Sequence, residues 1–221
     1  MLITSSMLAV LAVVLRATTA LPQPGMFPRA CTSKDVVANF DTLVPQVPGN
    51  PLNPIPDTYI PGLSFKAITY GSIPEVPLPA GNSLLPYLKP NTPSNVANAG
   101  IVSKLSQGKP TISATKPGDS LTLKDFAYGC RIANLPVACN FFLIGYTLSG
   151  TQKGAIKFSY EPPGIAGPQA MKSTKGNDAF DENFTNAAYI QLTDVTDKSG
   201  VTSPETVVVL DTLELTLKKC T

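Results

Sequence analysis

Apolar and polar residues alternate with a period of two along much of this chain, the pattern of a strand with one face in a core and the other in water. Val36, Ala38 and Phe40 form one such run, Leu63, Phe65 and Ala67 a second, and Ile156, Phe158 and Tyr160 a third behind a Ser149-Gly150 turn. Residues 121–128 and 140–148 read as partner strands, residues 167–173, 178–184 and 187–193 as weaker strands, and residues 206–217 as the clearest one. Beyond residue 20 no apolar stripe follows the helical period, and no repeat of solenoid length appears. The pattern predicts an all-β fold of about eight to ten strands, a sandwich or a barrel.

Two proline-rich segments interrupt the alternation. Pro45, Pro48, Pro51, Pro54, Pro56 and Pro61 remove backbone donors and fix φ, so residues 44–62 are expected to be loop. Residues 71–110, with Pro74, Pro77, Pro79, Pro86, Pro90 and Pro93, read as a second irregular region. Loops of that length inside a domain are either functional or a cover. The run Phe141-Phe142-Leu143-Ile144 is apolar on both faces, so residues 71–110 are expected to cover its outer side. The alternative is an exposed apolar surface that grips a ligand.

The two ends of the chain carry different information. Residues 1–20 read as a signal peptide, because the apolar run 7–15 is too short to span a bilayer and Thr18-Thr19-Ala20 supplies a small-residue cleavage site. Residues 21–30, with Pro22, Pro24 and Pro28, read as an extended arm or short propeptide ahead of a single domain over residues 31–221. Secretion into an oxidising compartment makes two disulfides the expected use of the four cysteines. Cys130 and Cys139 flank a turn containing Asn134 and Pro136 and can clip the base of a hairpin, which leaves Cys31 with Cys220. In the chain-entropy model, closing so long a loop contributes roughly 4–5 kcal/mol.

That pairing predicts a register. Cys31 lies nine residues before Phe40 and Cys220 nine after Asp211, the mirror spacing of antiparallel first and last strands. With Cys31 opposite Cys220, Val36 opposes Leu215, Ala38 opposes Leu213 and Phe40 opposes Asp211, and both strands turn their apolar residues the same way. Val207, Val209, Leu213, Leu215 and Leu217 are then one apolar face. Asp41 falls on the outer side and Asp211 on the inner one, where a carboxylate needs a partner or a bulge.

Composition narrows the chemistry. The net charge is +2, or +1 once the leader with Arg16 and no acid is removed, which creates no long-range field for nucleic acid or anionic lipid. A hydrophobic fraction of 43% with 14% charged residues suits a folded domain. The chain contains no histidine, which removes Ser-His-Asp and Cys-His catalysis, the usual zinc sites and copper oxidation chemistry. No Cys-x-x-Cys and no Gly-rich phosphate motif appears. Hydrolysis by a carboxylate pair needs no histidine and passes this test, although the 15 acids are scattered.

Three sets of residues are candidates for function. Asp178, Asp181 and Glu182, followed by Asn183, gather hard oxygen ligands that suit calcium, with a solvated loop as the plainer reading. Asn183-Phe184-Thr185 is the glycosylation sequon. Tyr59, Tyr70 and Tyr87 lie in or beside the proline-rich loops, where a tyrosine can stack on a sugar face with its hydroxyl in water, or else pack the loop onto the sandwich.

The Asn39-Phe40-Asp41-Thr42-Leu43 opening, residues 55–65 with Tyr59 and Gly62, the Cys130 to Cys139 stretch with Gly145-Tyr146, and the terminal Val209-Leu210-Asp211-Thr212-Leu213 resemble a group of secreted fungal proteins. These in turn resemble galactose-binding-like β-sandwiches of the carbohydrate-binding-module kind. The resemblance spans most of residues 31–221. It implies a jelly-roll-like antiparallel β-sandwich, an extracellular fungal protein and a cell-wall or host polysaccharide as partner, and it carries over no catalytic residue. The expected protein is a secreted, non-catalytic monomer that binds a glycan or other cell-surface ligand, with structural calcium as its one optional cofactor. A secreted structural or host-interacting protein without a sugar ligand is the second reading, and a carboxylate-dependent glycoside hydrolase the third.

Overall fold

The computed structural model describes residues 30–43, 53–72, 86–92, 95–100 and 108–221, apart from the side chains of Asp181 and Asp194; the expected leader, nearly all of the arm and parts of both proline-rich segments lie outside these residues. The two longest strands, β8 (Ser120–Ile132) and β15 (Val207–Cys220), run antiparallel side by side. On its other edge β15 takes β1 (Cys31–Ala38) along Leu213 to Cys220, and β6 (Asn95–Ala99) along Val208 to Leu210. Beyond β6 lie β4 (Thr69–Ser72) and β2 (Asn53–Pro54), while β9 (Leu135–Pro136) and β13 (Lys172–Ser173) flank β8. Pro54 is tolerated in β2 because that strand ends the order and one edge needs no donor.

A second sheet has the order β11 (Gln152–Tyr160), β10 (Cys139–Tyr146), β14 (Tyr189–Thr196), β7 (Thr111–Ala114) and β3 (Leu63–Lys66), antiparallel throughout. A short parallel pair joins β5 (Tyr87–Lys89) to β12 (Pro168–Ala170). Phe126 and Tyr128 of β8 meet Phe158 of β11, and Tyr128 meets Phe141 of β10, edge to face with ring centroids 5.2–5.5 Å apart. This aromatic layer joins the two sheets into an antiparallel β-sandwich. Each ring removed from water contributes about 1.5–3 kcal/mol.

The expected disulfides are both present, Cys31 to Cys220 and Cys130 to Cys139. The register of β1 on β15 is the predicted one, with Val36 opposite Leu215 and Ala38 opposite Leu213. The ladder stops before the expected Phe40–Asp211 pair. Phe40 (φ 62°) and Thr212 (φ 50°) both adopt left-handed backbone, and the β15–β8 register shifts between Asp211 and Glu214. That bulge reverses the phase of the strand. Leu213, Leu215 and Leu217 lie in the core on one side of it, and on the other side Val208 and Leu210 do, opposite Cys130 and Tyr128. Val207, Val209 and Asp211 therefore belong to the outer face, and the single apolar face expected for all of β15 is two faces in succession.

The outer face is covered there. Leu88 of β5 is fully buried over Gly129, where an added Cβ would stand 2.7 Å from Leu88 Cδ1. Within residues 71–110, β5 thus lies on β8 and β6 pairs with β15, which corrects the expected place of these parts over β10. Nor are they wholly irregular: once β1 leaves the ladder at Ala38, Val208–Leu210 need backbone partners, and the buried strand β6 supplies them.

Residues 178–184, read above as a weak strand, hold the helix α1 (Ala179–Phe184). Phe180 and Phe184, one helical turn apart, are both buried with centroids 5.4 Å apart. The Asn177 side-chain oxygen accepts the Ala179 N–H at 3.2 Å and caps the first turn. A single turn of this length is too short to register as an apolar stripe. No helix among the described residues is long and apolar enough to cross a membrane.

Candidate ligand surface

Strand alternation in β10 sends Phe141 and Leu143 into the core and turns Phe142, Ile144 and Tyr146 outward. Across the ladder, Ile190 and Leu192 of β14 are buried, which turns Tyr189, Gln191 and Thr193 to the same outer face. Tyr146 and Tyr189 are directly opposed and their rings stack, 4.7 Å between centroids at 14°. Phe142, one of the more exposed apolar residues at 40%, stands between Thr193 on one side and Lys157 on the other. Asn140, Gln191, Thr111 and Ser113 surround these rings with uncharged hydrogen-bonding groups. The result is a row of aromatic side chains on a polar sheet face.

The strip runs to a groove of about 510 Å³ where β11, the last strand of the second sheet, meets β13, the last strand of the larger one. Lys157, Lys172 and Lys175 line it together with Ser173 and Asn177. Its floor is hydrogen-bonded. The Ser159 carbonyl accepts both the Tyr128 hydroxyl (3.1 Å) and the Lys172 ammonium (3.3 Å), so a lysine of one sheet is held by the backbone of the other. Burial pushes the Tyr128 phenol up to about 12, so it stays a neutral donor.

The three tyrosines expected to form a ligand surface do not form one. Tyr70 is 2% exposed, because β4 is an inner strand of the larger sheet and Tyr70 points into the core. The Tyr59 hydroxyl accepts the Phe40 N–H at 2.7 Å while its ring stacks on Phe40 and leans on Phe65, which locks the 53–62 loop to the core. Tyr59 also touches a groove of about 370 Å³ shared with Lys34, Asp35 and Lys219. Tyr87 is half-buried in β5, opposite Pro168 of β12.

The acidic trio Asp178, Asp181 and Glu182 is described only in part. Asp178 precedes α1 without a side-chain capping bond, Glu182 is exposed on it, and the Asp181 side chain lies outside the described residues. Among the described residues no three acid or thiol side chains gather as a metal-ligand set. The Asn183 amide donates to the Ala179 carbonyl at 2.7 Å and packs on Gly154, so the nitrogen that would carry a glycan is engaged.

Two acids share one task at the opposite side of the sandwich. Asp211 accepts the backbone N–H and the hydroxyl of Thr92 as well as its own Thr212 N–H, and Asp41 accepts the Asn95 N–H at 3.2 Å. Asp211 thus holds Thr92 in place, and Asp41 holds Asn95.

Tyr146, Tyr189 and Phe142 were legible as strand residues but were not singled out as a site. The signal was the alternation itself: buried Phe141 and Leu143 leave residues 142, 144 and 146 no other direction. No family model and no curated protein matches the chain. Among solved structures it superposes on a DUF4465 family protein from Bacteroides caccae with a TM-score of 0.50 and 12% identity, over 82% of this chain and 98% of that one. At that identity the likeness is one of fold.

Proposed function

We propose that this is a secreted, non-catalytic β-sandwich protein that binds a glycan on the outer face of its second sheet. The stacked Tyr146–Tyr189 pair beside exposed Phe142 carries the proposal. The edges and outer faces of the stacked rings, held rigid by their cross-strand pairing, offer apolar contact to the C–H face of a sugar, and the tyrosine hydroxyls stay available to its hydroxyl groups. Gln191 and Ser113 add neutral donors and acceptors of the kind that orient a polyol. The apolar leader and the two disulfides support secretion. The likeness of the sequence to galactose-binding-like sandwiches points the same way.

Retention on immobilised polysaccharides tests it. The secreted protein is expected to be held by at least one polysaccharide, to release no reducing sugar from it, and to lose retention on Tyr146→Ala or Tyr189→Ala substitution with its thermal unfolding preserved. Retention on none, or retention that both variants keep, overturns the proposal; release of sugar makes the protein a hydrolase.

A further inference from the structure

Lys157 links the lysine groove to the aromatic strip. Lys157 is the cross-strand neighbour of Phe142 in the β10–β11 ladder, so its side chain leaves the same sheet face. Lys172 and Lys175 come from the other sheet and from the turn that follows it. Three lysines thus line one concavity from two separate stretches of chain, and no acid is among the lining residues. The described acids close to it in sequence do not line it. Asp125 accepts the Thr174 hydroxyl, Glu161 is paired with Lys198, and Asp178 and Glu182 are exposed on the α1 side. A net charge near zero for the whole chain makes this local excess more informative, since it does not follow from a generally basic composition.

We infer that the glycan taken by the aromatic strip is acidic, its carboxylate or sulfate groups seated among Lys157, Lys172 and Lys175 while neutral sugar faces stack on Phe142, Tyr146 and Tyr189. The inference rests on the glycan-binding reading above and names the class of its ligand. Lysine suits it: a compact cation on a flexible stem follows anionic groups spaced irregularly along a polymer, where arginine would demand a fixed two-point geometry. A groove of about 510 Å³ lies within the range of small-ligand sites, and its open end on the sheet face lets a chain pass through. Lysines on outermost strands also discourage edge-to-edge association. That role does not account for Lys175, which sits in a turn, nor for Lys172, whose ammonium is directed into the groove by the Ser159 carbonyl.

The test is isothermal titration of the whole secreted protein with polygalacturonate, with the same polymer fully methyl-esterified, and with a sulfated galactan and its desulfated form. At least one acidic polymer is expected to bind at least ten times more tightly than its neutral counterpart. The preference is expected to fall as salt is raised from 0.02 to 0.15 M, because the Debye length shrinks to about 8 Å. Preference for both acidic polymers marks general anion recognition, and preference for one assigns carboxylate or sulfate. In the Lys157→Ala/Lys172→Ala/Lys175→Ala variant the preference and the salt dependence are expected to vanish, with residual neutral-sugar binding still sensitive to Tyr146→Ala. Equal binding of charged and neutral polymers overturns the inference and leaves the glycan reading standing. Binding of none of the four, or of any other polysaccharide, overturns both. A triple variant that aggregates yet keeps the acidic preference shows the lysines to be edge protection and also overturns it.

Discussion

Asp211 accepts two hydrogen bonds from one residue 119 positions away, the backbone N–H and the hydroxyl of Thr92, each at 2.8 Å. A fully buried carboxylate at the bulge of β15 thereby anchors the segment that covers the larger sheet. Asp211→Ala strands the Thr92 N–H and leaves its hydroxyl only the Asn39 carbonyl at 3.4 Å, and an unsatisfied group of this kind costs about 1–3 kcal/mol. Chemical denaturation is expected to show a loss of that order.

The same residue gives a pH dependence of defined sign. Burial raises the Asp211 pKa above its usual 3.8, outweighing the bonds from Thr92 and Thr212, and the charge of Asp41 adds to the rise. The folded protein then holds this proton to higher pH than the unfolded chain. The stability it contributes is complete below 3.8 and is lost as pH rises through the folded value. Asp211→Asn does not titrate, so the stability of wild type relative to this variant is expected to increase as pH falls from neutral toward 3.8. A difference that shrinks on acidification shows that Thr92 and Thr212, and not burial, govern the carboxylate.

Gly129 and Leu88 are matched by close approach. A methyl group at residue 129 would stand 2.7 Å and 2.9 Å from the two Leu88 methyl carbons. Gly129→Ala is expected to cost about 1–3 kcal/mol by overpacking, and Leu88→Ala to cost about 2–5 kcal/mol through its cavity. The double variant is expected to be less destabilised than the sum, and the double-mutant cycle read from urea midpoints measures that coupling.

Arg131 is 5% exposed, and within the described residues its guanidinium meets only amide oxygens, Asn98 at 2.9 Å and Asn134 at 3.4 Å. Its Nε and the Asn98 amide nitrogen have no partner there, and burial lowers the guanidinium pKa. Asn98→Leu leaves the cation poorer still and is expected to cost about 1–3 kcal/mol. Arg131→Met with Asn98→Leu removes both orphans and is expected to restore or exceed wild-type stability, read from the thermal midpoint.

The two disulfides differ in loop length, 189 residues for Cys31–Cys220 and 9 for Cys130–Cys139. In the chain-entropy model their removal costs roughly 5 and 2–3 kcal/mol respectively. Paired Cys→Ser variants are expected to rank in that order in urea.

How much was legible beforehand follows the range of the interaction. Alternation in β8, β10, β11 and β15 showed which residues face in, and the mirror spacing of Cys31 and Cys220 set the β1–β15 register residue by residue. The register failed at Phe40–Asp211, where two left-handed residues and a bulge change the phase, and no pattern in Asp211-Thr212 announces them. Asn95–Ala99 has neither strong alternation nor β-branched residues beyond Val96, so its pattern predicts an irregular segment. It is a strand because β15 has an empty edge to fill. The tyrosines chosen for a ligand surface lay in loops, and Tyr70 was assigned by its neighbours in sequence when its place inside β4 decided its burial.

The sequence by itself determined the class of fold, the pairing of the cysteines and the chemistry unavailable to a chain without histidine. These depend on period, count and spacing, which are properties of one dimension. Only the tertiary structure decided that Tyr146 and Tyr189, 43 positions apart in sequence, stack as one surface and that lysines from two sheets line one groove beside it. Those juxtapositions depend on which strands become neighbours, and that is settled by the packing of all of them together.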